Sequence, residues 1–222
     1  MKKQIKSMKK ENYKPTVIDL FCGAGGLSTG FRMAGFDVLL GIDSIPVFCE
    51  TFQKNDKKAI CEDIRNVTVD QIKEAIENRE VDVVAGGPPC QGFSMAGRRD
   101  TKDPRNSLFM EFIRIVHGLK PKFFIMENVP GILTMKTEKG EFVKDIILKE
   151  YEKIGYKVEM KKLHAADYGV PQKRKRVVFI GTNTKCKIKF PEPTHSEKPI
   201  MKLSGVKIKT WVPVSSVLLS KE

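Results

Sequence analysis

The sequence feature that most constrains this chain is the segment GGPPCQGFS at residues 86–94. It directly follows the short apolar run 81–85, which is typical of a buried strand. Two glycines and two prolines then end the strand and fix the backbone, so that Cys90 is held on a stiff turn. Most free cysteines are small buried hydrophobic residues. Because an open α/β sheet places its chemistry at the carboxyl ends of its strands, we instead interpret Cys90 as a functional thiol.

Length and charge limit the classes to which the chain can belong. A length of 222 residues allows one sizeable domain and the beginning of a second. No apolar run approaches the roughly 18 residues that span a bilayer, and the lysine-rich N-terminus lacks a following apolar segment. We therefore predict neither a membrane span nor a secretory signal. The net charge of +13 favours nucleic acid or another polyanion as partner.

The cysteines are odd in number and widely spaced, and no two of them form a C-x-x-C pair. This pattern argues against a disulfide framework and against a zinc site. It indicates a reducing, cytoplasmic environment, and we expect no metal. The residues are Cys22, Cys49, Cys61, Cys90 and Cys186.

A strand, a glycine-rich turn and a helix follow one another near the N-terminus. The apolar strand 16–21 runs into Gly23 and Gly25, and a helix is predicted from about 28 to 34. This arrangement lets a ligand approach bare backbone at a helix N-terminus. The dinucleotide fingerprint needs a third glycine or alanine where this chain has Ser28, which disfavours a pyrophosphate site.

Carboxylates follow several of the later predicted strands. Asp43 ends the second strand, where it can accept hydrogen bonds from a ribose or cap the next helix. Asp63 follows the third strand, and Glu127 ends a later one beside a proline turn. Repeated strand–helix units predict an α/β fold with a doubly wound, largely parallel sheet. Its crevice would collect these carboxylates together with Cys90.

Two basic segments lie near this predicted crevice. Residues 95–106 are rich in Gly, Arg, Asp and Lys, and they predict a mobile basic loop. A strand pair is predicted at 156–163 and 177–181, and its connection contains QKRKR. A basic run usually marks a solvated face. This one leads directly into a buried strand, which would fix Arg174 and Arg176.

With these residues in view, the chain resembles the DNA cytosine-5 methyltransferases. The resemblance runs from about 15 to 181. Its four motifs, in order, imply a Rossmann-like S-adenosylmethionine-dependent methyltransferase fold with a mixed, mostly parallel sheet. They are DLFCGAGG at 19–26, GPPCQGFS at 87–94, ENV at 127–129 and Q-x-R-x-R at 172–176.

The resemblance implies S-adenosylmethionine as the methyl donor. Asp43 would bind the ribose hydroxyls, and Asp63 would take the adenine amino group. Ile64 would lie against the adenine ring and Leu108 near the methionine part. The other implied contacts of this pocket are Phe21, Gly23 and Gly25.

The chemistry explains why such side chains are needed. Cytosine C5 is a weak nucleophile, and attack of a Cys90 thiolate at C6 would convert the ring into an enamine. A protonated Glu127 could then donate to N3. The resemblance implies that Arg176 holds the cytosine O2 and that Arg174 contacts phosphate and braces the loop. The base that removes the C5 proton is not identified by the sequence.

This reaction requires double-stranded DNA with the target cytosine flipped out of the helix. The basic loop around 92–105 would form a lid over the base. The implied biological setting is a restriction–modification system. The residues expected to contact DNA are Gln91, Ser94, Arg98, Arg99 and Lys102, of which the last three would bind phosphate.

We divide the chain into a basic flexible tail (1–14), a catalytic and cofactor-binding domain (15–190) and a linker (191–222). Complete family members continue with a target-recognition domain and a returning C-terminal segment. We therefore expect the linker to begin an absent domain, and an apolar surface to be exposed where the missing segment packs. A subunit of a split enzyme, an inactive truncated remnant that binds cofactor or DNA, and a fragment are the alternatives. An RNA cytosine-5 methyltransferase is a further alternative.

Overall fold

The structure is a computed structural model, and it describes residues 13–55, 58–89, 108–137, 139–198, 200–201 and 207–218. In these ranges the helices are α1 (Gly26–Met33), α2 (Pro46–Asn55), α3 (Val69–Ala75), α4 (Leu108–Leu119), α5 (Val143–Lys153) and α6 (Ser215–Leu218). The strands are β1 (Thr16–Leu20), β2 (Asp37–Asp43), β3 (Ala59–Cys61), β4 (Val83–Gly86), β5 (Phe123–Asn128), β6 (Lys157–His164), β7 (Lys175–Thr182), β8 (His195–Ser196), β9 (Ile200–Met201) and β10 (Lys207–Thr210).

Seven of these strands form one sheet in the order β3-β2-β1-β4-β5-β7-β6. The pairs from β3 to β5 are parallel, whereas β7 pairs antiparallel with both β5 and β6. The chain reverses its direction of winding after β3, when it returns to place β4 beside β1. The structure therefore confirms the predicted doubly wound, mixed and mostly parallel sheet, including the predicted strand pair at its far edge.

The larger part of the core lies on the face of the sheet that α3, α4 and α5 cover. Side chains from β1, β2, β5 and β7 alternate onto this face, and α4 contributes six buried residues. Phe124 stacks on Tyr151 of α5 with ring centroids 3.8 Å apart. Position 181, on the neighbouring strand, must be glycine, because an added Cβ there would lie 1.9 Å from the Phe124 ring.

The opposite face is covered by α1 and α2 over one half of the sheet. Phe31 of α1 packs against the buried group of Val17, Val83 and Ala85. Phe52 of α2 lies so close to Gly41 that an added Cβ would be 2.5 Å from its ring. Along β5 and β7, buried side chains on the first face alternate with side chains on this face that are only half-buried. The half-buried apolar side chains are Phe123, Ile125, Val178 and Ile180.

Local sequence signals explain several element ends. Thr68 and Gln71 form a capping box at the start of α3, with mutual bonds of 3.2 and 2.8 Å. Gly155 adopts a φ of 86° just after the end of α5, a left-handed conformation that is common at this position. By contrast, α1 begins at Gly26, earlier than the predicted position 28, because left-handed Gly25 already turns the chain into the helix.

The strands β8, β10 and β9 form a separate small sheet. Its β10 pairs in parallel with β8 and antiparallel with β9. None of the helices in the described ranges has the length and apolarity needed to cross a membrane.

Asp82 organises the edge of the sheet opposite the carboxyl ends. Its carboxylate, 5% exposed, accepts hydrogen bonds from the Thr16 amide at 2.8 Å, Tyr13 Oη at 2.5 Å and Lys122 Nζ at 2.7 Å. Burial acts to raise the pKa of Asp82, but the hydrogen bonds from Lys122, Tyr13 and Thr16 outweigh it and hold the pKa below its ordinary value. The contacts thus anchor the beginning of β1 to β4 and β5.

We expect Asp82→Asn to lower the free energy of unfolding at pH 7 by about 1–3 kcal/mol, because buried donors lose their charged acceptor. A lowered folded-state pKa stabilises the protein above the unfolded-state pKa of about 3.9, and this stabilisation is lost as pH falls through the folded-state value. Urea unfolding at pH 7 and in steps below pH 4 measures both effects. Exposed Glu50→Gln is the control, and an equal loss at every pH would contradict the account.

Candidate active site

The carboxyl ends of the parallel strands form one edge of the sheet, and most of the predicted site residues that the structure describes lie there. Parallel strands direct these ends to the same side, so residues far apart in sequence become neighbours. Leu108, 8% exposed, begins α4 below this edge. The edge is formed by Phe21 and Gly23 after β1, Asp43 in β2, Asp63 after β3, the turn after β4, Glu127 in β5 and Arg176 in β7.

The glycine-rich turn is pinned by a buried carboxylate. Asp19, 1% exposed, accepts hydrogen bonds from the Ser28 amide at 3.1 Å and from Ser28 Oγ at 2.7 Å. Gly23 has a φ of 52°, and an added Cβ there would meet nothing within 4 Å. The turn therefore presents open space at the N-terminus of α1, and Ser28 serves to hold the turn.

Asp43 closes the neighbouring side of this turn. Its Oδ2 accepts a hydrogen bond from the Gly23 amide at 2.9 Å, and its Oδ1 accepts one from the Ile45 amide at 3.0 Å. The second bond closes a turn just before α2 and does not reach the amides of the helix's first turn, so it differs from the capping alternative. Beside Asp43, the exposed side chains of Ile45, Val47 and Phe48 present apolar surface.

The turn after β3 contains a strongly paired carboxylate. Asp63 accepts from Arg65 Nε at 2.9 Å, and hydrogen bonds from Arg65 lower the pKa of Asp63 to about 2. Arg114 of α4 holds the same turn from below, since its guanidinium donates to the Ile64 and Val67 carbonyls at 2.8 and 2.9 Å. The helix that begins at Leu108 is thus bonded directly to the Asp63–Ile64 turn.

The turn that leads to Cys90 is constrained by β1 and β5. At Gly86 an added Cβ would lie 2.1 Å from the Leu20 carbonyl oxygen, so only glycine fits there. At Gly87 it would lie 3.2 Å from Glu127 Oε2. The buried Asn128 side chain donates to the Pro88 carbonyl at 3.2 Å. Gly86, Gly87 and Pro88 are therefore tightly held, whereas Cys90 lies outside the described residues.

Glu127 lies between two arginines. Arg176 Nε is 2.7 Å from Glu127 Oε1, although the N–H is not aligned for a hydrogen bond, and Arg174 Nη2 is 3.4 Å from the same oxygen. The Glu127 and Arg176 side chains are 31% and 25% exposed, so a ligand can reach both. A carboxylate and two guanidiniums beside the cysteine turn can bind a planar polar group through several hydrogen bonds.

The two buried cysteines, Cys22 and Cys49, lack what a nucleophile requires. Burial, with Asp19 and Asp43 nearby, raises the pKa of Cys22 far above its ordinary value. Burial and the Cys61 side chain raise the pKa of Cys49 to about 12. Both thiols are therefore protonated near neutral pH and cannot attack efficiently. Cys61 and Cys186 are exposed.

Several predicted residues lie outside the part that the structure describes. They are Cys90 and the expected DNA contacts Gln91, Ser94, Arg98, Arg99 and Lys102. In the described ranges no three His, Cys, Asp or Glu side chains are grouped to hold a metal ion.

Three residues of the site were missed as site residues at the sequence level: Asp19, Arg114 and Asn128. An acidic residue inside the apolar strand 16–21 was a usable signal for Asp19. Arg114 has no local signal, because its partners lie 47 and 50 residues away.

Comparisons with known proteins agree with this geometry. The family model of C-5 cytosine-specific DNA methylases matches residues 15–212. Over 187 residues the chain is 49% identical to the Type II methyltransferase M1.HphI of Haemophilus parahaemolyticus, covering 82% of this chain and 50% of that protein. It is 41% identical over 194 residues to the Type II methyltransferase M.AquIA of Picosynechococcus, covering 81% of this chain and 76% of that protein.

Among solved structures, an E. coli prophage protein assigned as a DNA modification methyltransferase is similar with a TM-score of 0.66. It is 36% identical, and the match covers 76% of this chain and 47% of the other. The chain thus spans about half the length of several relatives that it matches.

We expect N-ethylmaleimide at pH 8 to label Cys61 and Cys186 rapidly in the native protein, since both are exposed. Cys22 and Cys49 should label only after unfolding, because they are buried and their raised pKa values keep them protonated. Peptide mass spectrometry over a time course checks this. Rapid native labelling of Cys22 or Cys49 would contradict the argument that neither can be the nucleophile.

Proposed function

Because this chain belongs to the C-5 cytosine-specific DNA methylase family, we propose that it transfers a methyl group from S-adenosylmethionine to C5 of cytosine in DNA. The observation that supports this most strongly is Glu127 with Arg176 Nε 2.7 Å away, beside the turn that leads to Cys90. The named relatives come from bacteria, whose DNA lies in the cytoplasm, so we expect the enzyme there. The Type II names of the relatives support a place in a restriction–modification system.

In this proposal Cys90 is the nucleophile. Its thiolate adds to C6 of cytosine, the C5–C6 double bond opens, and C5 becomes nucleophilic. After C5 has accepted the methyl group, loss of the C5 proton restores the double bond and expels the thiolate. The buried, protonated Cys22 and Cys49 cannot replace Cys90. The contacts of Gly86, Gly87 and Pro88 hold the turn before Cys90 and would thereby fix the position of its thiol.

Glu127 and its arginines would bind the cytosine. In the structure Arg176 faces the Glu127 carboxylate. An entering cytosine offers O2 as a hydrogen-bond acceptor. Arg176 would then leave the Glu127 carboxylate and donate to that oxygen. Glu127, freed from this partner and protonated, would donate to N3 and meet the negative charge that thiolate addition creates in the ring. Arg174 would remain near the strand end and contact phosphate.

The described residues fit S-adenosylmethionine. Open space lies above left-handed Gly23 at the N-terminus of α1, and Asp43 borders it with exposed apolar neighbours. Asp43 would bind the ribose, while Asp63 and Ile64 would bind the adenine. Phe21, Gly25 and Leu108 would complete the pocket. When bound, S-adenosylmethionine supplies an electrophilic methyl group.

A cytosine inside a duplex cannot reach Glu127, so the base must leave the stack, at a cost of a few kcal/mol. We propose that the basic segment 92–105 closes over it. Arg98, Arg99 and Lys102 would bind phosphate, and Gln91 and Ser94 would contact the DNA near the vacated position.

We further propose that the region which longer relatives possess beyond this chain packs on the half-buried side of the sheet. Phe123, Ile125, Val178 and Ile180 share this face, and α1 and α2 cover only the other half of it. A partly exposed apolar sheet face favours coverage by another protein segment. The same polypeptide or a second subunit could supply that segment, together with target recognition.

The test is transfer of tritiated methyl from S-adenosylmethionine to duplex DNA by the chain, alone and with the remaining half of a relative. We expect transfer with the wild type and a loss of about a thousandfold or more with Cys90→Ala, because the nucleophile is removed. Cys186→Ala, at an exposed thiol elsewhere, is the matched control and should retain activity.

Three outcomes would contradict the proposal. Transfer that survives Cys90→Ala contradicts the mechanism. Labelling of transfer RNA but not duplex DNA contradicts the substrate and favours the RNA enzyme. No transfer under any condition contradicts the activity and favours a remnant that only binds cofactor or DNA.

A further inference from the structure

The connection between β6 and β7 is held from outside by a part of the chain that follows the sheet. We define residues 194–196 and 207–211 as the C-terminal ribbon. Its Thr194 amide donates to the Asp167 carbonyl at 2.9 Å, and Trp211 Nε1 donates to Asp167 Oδ1 at 2.9 Å. Asp167 lies in the 3-10 helix Ala165–Tyr168, which opens the connection to β7.

The partly buried Trp211 side chain contacts residues at both ends of this connection. The His164 ring meets it edge-on with centroids 5.0 Å apart, and Lys173 Nζ lies 5.2 Å from its ring centroid. The ribbon backbone holds the residue too, because the Trp211 amide donates to the Ser196 carbonyl at 3.0 Å. Trp211 therefore contacts both the end of β6 and the last part of the connection.

A second contact of the ribbon lies at Gly169, directly after the 3-10 helix. Gly169 has a φ of 85°, and an added Cβ would lie 2.8 Å from the His195 ring. Only glycine allows the ribbon to approach this closely. The ribbon thus packs on the connection at both a side-chain and a backbone position.

The connection leads directly to the two arginines of the candidate site. The Ala165 amide donates to the Arg174 carbonyl at 2.8 Å, and the Arg174 amide donates to the Gln172 carbonyl at 2.9 Å. Arg174 and Arg176 then reach Glu127. A continuous series of contacts therefore runs from Trp211 through Asp167 and the connection to the Glu127 carboxylate.

We propose that Asp167, through its hydrogen bond with Trp211, is a positioning residue for Arg174 and Arg176. This inference rests on the proposed function for the catalytic meaning of the arginines. Asp167 touches neither substrate nor cofactor; it fixes the connection so that both guanidiniums are held at the base-binding end of β5.

The test uses hydrogen–deuterium exchange on the full chain with Asp167→Ala and Trp211→Phe. Both variants remove the bond, and Trp211→Phe retains an aromatic ring. We expect exchange in peptides covering 165–174 to accelerate about threefold to tenfold, since one hydrogen bond is lost, with no change in 59–67 or 143–153. Tyr168→Phe is the matched control, because it removes a bond to the Pro191 carbonyl and leaves Asp167 intact.

A second readout uses fluorescence, because Trp211 is the one tryptophan of the chain. Asp167→Ala should shift its emission to longer wavelength, and Tyr168→Phe should not. In methyl transfer, Trp211→Phe should raise the KM for DNA while cofactor affinity stays unchanged.

Unchanged exchange at 165–174 in both Asp167→Ala and Trp211→Phe would overturn the inference, as would equal acceleration in Tyr168→Phe. A loss of cofactor affinity equal to the loss for DNA would indicate general destabilisation and would also overturn it. The exchange measurement needs no activity. A wild type without methyl transfer would therefore contradict the proposed function alone.

Discussion

The antiparallel pairing of β7 with β5 is the constraint on which the candidate site depends. In a fully parallel sheet, the strand beside β5 would bring its carboxyl end to this edge. Here β7 instead begins at the edge, so Arg176 directly precedes the register pair Asn128–Val177 and its side chain reaches Glu127. The basic segment that precedes β7 is therefore delivered to the carboxylate that ends β5. Glu127, Arg174 and Arg176 meet because of strand direction, although 47 residues separate Glu127 from Arg174.

The two faces of the sheet differ in how fully helices cover them, and this difference bears on the support of the edge. Three helices cover one face and bury most of its apolar side chains, and Asn128 on that face bonds to Pro88 and steadies the turn before Cys90. On the other face α1 and α2 cover only part of the sheet, and Phe123, Ile125, Val178 and Ile180 stay half-buried. The chain also spans about half the length of several relatives. Both observations support a further segment on this side.

The sequence predicted the sheet and most of its edge because the signals are local. Apolar runs ending in Gly23, Asp43 or Glu127 identify strands and their carboxyl ends, and the Thr68 capping box identifies a helix start. Contacts between distant segments were not predictable in this way. Arg114 reaches the Ile64 carbonyl, and Trp211 reaches Asp167, only after the tertiary fold has formed. No sequence pattern marks an arginine that donates to backbone carbonyls.

In the proposed mechanism Cys90 adds covalently to a cytosine held by Glu127 and Arg176. A duplex with 5-fluorocytosine at the target position tests it directly, because fluorine cannot leave C5 as a proton does and the thiolate cannot be expelled. With S-adenosylmethionine present, intact-mass analysis under denaturing conditions should show protein joined to one methylated DNA strand, and peptide mapping should place the bond at Cys90. Transfer to ordinary cytosine with no adduct on the fluorinated duplex, or an adduct at Cys61 or Cys186, would contradict the account.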